Sequence, residues 1–120
     1  MASLSRSEFI SPTDDPRKVE NWALSVVAEE MLAAKDSGDE ETILSSVRLN
    51  WRLWTIFQAA LLDPACPWPQ EERNNLLSLA AFVDRESGGI IAFPEPDKLN
   101  SLISLNRSLA AGLAESLASH

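Results

Sequence analysis

An all-α fold follows from three features of this 120-residue chain. Every long apolar pattern repeats at i, i+3 and i+4, and none alternates with the period of two that a half-buried strand needs. Breakers at Pro12, Gly38, Asp63-Pro64 and Gly88-Gly89 divide the chain into four stretches of helix length. Apolar residues make up 45% of the chain, which is enough to bury a core where the helices pack together. The expected architecture is a compact bundle of about four helices behind a flexible N-terminal arm, with residues 1–13 as the arm and 14–120 as a single helical domain.

The arm is Ser-rich, aperiodic and closed by Ser11-Pro12-Thr13. A first helix is expected from Pro16, because proline suits the first helical turn and Asp14 and Asp15 can cap it. Its apolar arc reads Val19, Trp22, Ala23, Val26, Val27, Ala33 and Ala34, and Gly38 ends it. A second helix starts near Asp39-Glu40-Glu41 and stops at Asp63-Pro64, since the residue before a proline is pushed out of the α region. The loop from Pro64 to Pro69 is too proline-rich to be regular. A third helix follows from Pro69 or Gln70, carries Leu76, Leu79, Ala80 and Val83 on one side, and closes at Gly88-Gly89. Residues 90–96 admit a short strand at Ile90-Ile91-Ala92-Phe93 or, because of Pro94 and Pro96, a packed loop. Asp97 then caps a fourth helix that runs to about Leu117. The short connection between the first two helices makes them antiparallel neighbours.

The bulk numbers exclude several kinds of work. A net charge of −8 with scattered Lys and Arg argues against a nucleic-acid partner, which needs clustered cations. Cys66 is the only cysteine, so no intramolecular disulfide is expected and a cytoplasmic setting fits. The first residues hold no apolar leader and no run approaches a membrane span, so no membrane insertion is expected. His120, the only histidine, is terminal, and no nucleophile stands beside a base, so the chain reads as a non-enzyme with no cofactor, no metal site and no small-molecule substrate.

The second helix carries most of the information. Leu44, Val47, Trp51, Trp54, Phe57 and Leu61 share one arc, while Leu49, Leu53, Ile56 and Ala60 form a second apolar stripe on roughly the opposite flank. Such a helix is either central to the bundle or keeps one face for a partner. Asn50 lies between the Trp54 and Phe57 directions, and Asn106 falls in the middle of the fourth helix's arc of Leu99, Leu102, Ile103, Leu109, Ala110, Leu113 and Leu117. Buried amides must be hydrogen-bonded, so the two asparagines, or one of them and a Trp indole N–H, are expected to bond across the core. Arg52 and Arg107 either pair with acidic residues, Glu30 among them, or anchor a partner's carboxylate. Gly112 in mid-helix is either a notch for close helix approach or a weak point that lets the last turns move.

Three blocks of residues carry a resemblance. They are Asn50-Trp51-Arg52-Leu53-Trp54; Leu77-Ser78-Leu79 with Phe82-Val83-Asp84-Arg85; and Leu102-Ile103 with Leu105-Asn106-Arg107 and Gly112-Leu113. In order and spacing they resemble the FlaF family of bacterial flagellar biosynthesis proteins, with a fainter match at Pro16-Arg17 and Glu20. Trp51 stands where that family often has Arg, and Ser104 where it commonly has an acidic residue. The resemblance implies a small cytoplasmic protein of flagellum biogenesis and motility, a chaperone that binds flagellin and promotes its export. The alternative it leaves is a post-transcriptional regulator of flagellin synthesis acting through FlbT. In this reading Leu49, Arg52, Leu53, Ile56 and Arg107 are the candidate partner-binding residues. Asn50, Trp54, Phe82, Asn106 and Gly112 form the structural core motif.

Overall fold

The computed structural model describes the backbone of residues 16–118 and the side chains of residues 22–113. The expected arm, the Asp14/Asp15 cap, Val19 and Leu117 fall outside those limits. Four helices follow one another: α1 (Pro16–Ser37), α2 (Glu40–Leu62), α3 (Gln70–Ala92) and α4 (Leu99–Ala118), with a 3-10 turn at Pro96–Lys98 ahead of α4. No strand occurs among the described residues, and the fold is all-α. Nor is any described helix long and apolar enough to cross a membrane.

The tight α1–α2 corner is built from its sequence. Gly38 takes φ +66°, a left-handed conformation that L side chains rarely adopt, and its N–H closes on the Ala34 and Lys35 carbonyls. Asp39 then caps α2, its carboxylate accepting from the Thr42 hydroxyl at 2.6 Å and the Thr42 backbone N–H at 3.0 Å. Those two bonds, the hydroxyl first, hold the Asp39 carboxyl below its ordinary value. A depressed folded-state pKa means that the cap's contribution is present above the unfolded carboxylate range and lost as pH falls through the folded value. Asp39→Ala is therefore expected to melt earlier than wild type at neutral pH. The gap should close in thermal melts taken at progressively lower pH.

Two boundaries differ from the sequence expectation. Helix α3 does not stop at Gly88-Gly89 but continues to Ala92, so Ile90-Ile91-Ala92 is neither strand nor loop. Val83, Ser87 and Ile90 form one buried line at i, i+4 and i+7, and burying Ile90 offsets the helix penalty of two glycines, about 1 kcal/mol each. The helix ends at Phe93, whose N–H reaches the Gly89 carbonyl, because Pro94 follows. Asp97 is not the cap of α4; it lies inside the 3-10 turn that Pro96 opens.

Helix α1 packs against both α2 and α4, and α2 against both α1 and α3, whereas α3 and α4 approach each other over only a few residues. The face that α1 buries is Ala23, Leu24, Val27, Ala28, Met31 and Ala34. This corrects the expected arc: Trp22 is 49% exposed and Ala33 is exposed, while Leu24, Ala28 and Met31 take the core positions. Trp54 and Phe57 stack edge-on at 5.7 Å, and Phe57 meets Trp68 of the α2–α3 loop at 6.3 Å. The loop is thus fastened to the core through its buried tryptophan, and Cys66 packs half-buried beside it.

Candidate functional site

The family-like blocks converge at mid-height of the bundle. Asn106 of α4 is fully buried, and its amide donates to the Asn50 carbonyl oxygen at 2.7 Å and to the Leu24 backbone carbonyl at 3.4 Å. The Trp54 indole N–H donates to the Asn106 carbonyl oxygen at 3.0 Å. One side chain therefore joins α1, α2 and α4 in the buried interior, where each bond excludes a slipped register. Asn50 uses only its oxygen; its Nδ2 has no partner among the described residues. Asn50, Trp54 and Asn106 thus lie where a core motif belongs. Phe82 does not: it is half-buried on the flank of α3 and stands apart from the core cluster.

The expected partner-binding residues are not gathered into one surface. Leu53 is 1% exposed, and Leu49 and Ile56 are half-buried against the core. On the other flank of α2, the Trp51 indole N–H donates to Asp84 of α3 at 2.8 Å. That leaves the Leu49–Leu53–Ile56 flank for α1, the second neighbour of α2. The two apolar stripes read from the sequence are the flanks of one continuous buried arc, so this stripe is not spare. Leu53→Glu is accordingly expected to unfold the protein rather than weaken binding alone, seen as loss of cooperative melting by circular dichroism.

Arg52 is exposed on the outer strip of α2 and makes no ion pair among the described residues. Arg107 pairs with Glu29, not Glu30, at 2.9 Å, with the two side chains 50% and 68% exposed. A bridge so open to solvent contributes about 0–1 kcal/mol.

A different surface emerges between α3 and α4. Ser101 of α4 donates to Glu86 of α3 at 3.2 Å, which fixes the flanks that the two helices turn to each other. Helical spacing then puts Phe82 and Leu79 in line with Glu86, and Leu105, Leu109 and Gly112 in line with Ser101. Leu79, Phe82, Leu105 and Leu109 are all half-buried. The Glu86–Ser101 contact lies in a cleft of about 450 Å³, with Ile90, Asp97 and Lys98 in its wall. Gly112 is exposed, and a Cβ built there meets nothing among the described residues within 4 Å. Among the described residues it is therefore no notch for a neighbouring helix, and no contact there offsets its helix penalty of about 1 kcal/mol.

Sequence reasoning passed over this cleft because it depends on which helices are adjacent. One signal was available. Residues 74–83 hold no charged side chain, and between Leu99 and Leu113 the only one is Arg107, which points away to Glu29.

A family model described as Flagellar protein FlaF matches residues 6–113. The chain belongs to the FlaF family. Neither the curated proteins nor the solved structures contain a match to it. In this FlaF-family chain, the Asn50–Trp54–Asn106 network is the interior of the motif. Arg52, Ser78, Asp84, Arg85, Arg107 and Gly112 are motif residues exposed at the surface, and Leu79, Phe82 and Leu105 are half-buried.

Proposed function

We propose that the protein is a chaperone of flagellum biogenesis, which binds newly made flagellin in the cytoplasm and keeps it competent for export. It works by binding alone, without a catalytic step. Family membership over residues 6–113 carries this reading, since it ties the chain to the flagellar system. Flagellin termini form coiled-coil-type helices in the filament, so before assembly they expose apolar stripes that aggregate. A helical domain with half-buried apolar residues on its flanks suits such a helix, and a net charge of −8 keeps the complex in solution.

Titration calorimetry of the purified chain with full-length flagellin tests this. The expected result is a one-to-one complex that forms without nucleotide and persists when ATP is added. Absence of binding at concentrations on the order of 10 μM removes the chaperone reading. Capture of FlbT but not flagellin from the same cells would then assign the protein to regulation of flagellin synthesis.

A further inference from the structure

We infer that residues 88–95 form a strap that opens away from the bundle on a Gly88-Gly89 hinge while the helices around it stay folded. Opening lifts Ile90 out of its buried site and joins that site to the cleft beside Glu86 and Ser101. The device goes beyond the chaperone reading and does not depend on it.

The hinge is placed by two glycines that nothing in the fold requires. Both lie inside α3 in helical backbone, and the only positive-φ glycine among the described residues is Gly38. A Cβ built at either position meets nothing among the described residues within 4 Å, so no close approach calls for glycine. What the pair contributes is backbone freedom, which makes the turn that follows easy to unwind. Immediately before it, Ser87 is fully buried, and its hydroxyl has no hydrogen-bond partner among the described residues. Water that reaches this hydroxyl removes the cost of leaving it unpaired, which favours opening of the adjacent turn.

The strap is held at few points. Between Gly88 and Glu95 only Ile90 is buried, Ile91 is half-buried against the core, and Phe93 is exposed. The Phe93 N–H bonds within the strap to the Gly89 carbonyl at 3.1 Å. On the surface the Lys98 ammonium donates to the Phe93 carbonyl at 2.9 Å. Both ends are fixed. Just before the hinge, Ser101 of α4 donates to Glu86 at 3.2 Å. Past the strap, the 3-10 turn Pro96–Lys98 rests on α1 and α4 and leads into Leu99, which is fully buried. A segment with one buried apolar anchor and solvent-exposed backbone hydrogen bonds opens at lower cost than the whole fold.

The test is hydrogen exchange of the full-length chain, followed residue by residue by NMR and corrected for intrinsic rates. The amides of residues 90–93 should share one protection factor, at least about tenfold below that of residues 80–86 in the same helix. Urea well below the unfolding midpoint should speed exchange in the cores of α1 and α2. It should scarcely change residues 90–93, since local opening exposes little surface. Gly88→Ala/Gly89→Ala, which the open space at both positions accommodates, should slow residues 90–93 by about fivefold for each glycine replaced. Ile90→Ala should leave these amides nearly unprotected while the rest of the chain still melts cooperatively. Protection of residues 90–93 equal to that of residues 80–86 overturns the strap. So does protection that falls step by step toward Phe93, which is ordinary fraying of a helix end. An unchanged rate in the double alanine variant overturns the hinge. Loss of the whole fold in Ile90→Ala would make the segment an integral part of the core and overturn the proposal as well.

Discussion

Trp54→Ala is expected to lose about 3–5 kcal/mol of stability, the cost of emptying the site of a large buried aromatic. Trp54 is 1% exposed, and its ring meets Phe57, which in turn holds Trp68 and the loop between α2 and α3. Truncation opens a cavity among residues from several elements, and the surrounding helices can collapse into it only by abandoning their own contacts. It also removes the donor to Asn106, leaving that carbonyl oxygen without its Trp54 partner in the buried interior. A domain of this size has a total stability of about 5–15 kcal/mol, so the variant sits at the edge of folding. Chemical denaturation followed by far-UV circular dichroism measures the effect. An unchanged midpoint would place Trp54 at the surface, against the packing described above.

Asn106→Leu should be comparably damaging for a different reason, because a leucine fills most of the space and leaves the polar groups behind. The Trp54 N–H loses its acceptor, and the Asn50 oxygen loses its donor. Each stranded group costs about 1–3 kcal/mol. Asn50 would then have no partner at either end of its amide, since its nitrogen already lacks one among the described residues. Asn50→Leu should be much milder. It removes one hydrogen bond together with an unpartnered amine, and Asn106 keeps its bonds to Trp54 and the Leu24 carbonyl. The Asn50→Leu/Asn106→Leu double variant should be less destabilised than the sum of the two single changes, because no lone amide remains between the helices. Simple additivity in that cycle would mean that the two side chains act independently.

The helices were legible in the amino-acid sequence because their signals are local. Pro16, Gly38, Asp39 and Asp63-Pro64 act on their own backbone, and the structure has α1 and α2 begin and end where those residues place them. The buried amide network was legible as well, since an asparagine amid an apolar arc must find a partner wherever the neighbouring helix lies. Membership of the FlaF family was written in the spacing of three short blocks.

Packing decided the rest. Nothing near Gly88-Gly89 says that α3 continues; Ile90 carries it on because a buried site awaits that side chain four turns of chain away from where the apolar pattern begins. The apolar face of α2 could not be divided from sequence between neighbours and partners, because a helix reports how much of its circumference is apolar and not what covers it. Leu53 is enclosed because α1 and α3 flank α2, and Leu105 and Leu109 are only half-buried because α4 packs on α1 and barely meets α3. Periodicity fixes which residues share a face, but only the order in which helices pack determines which of those faces is left for something else to fill.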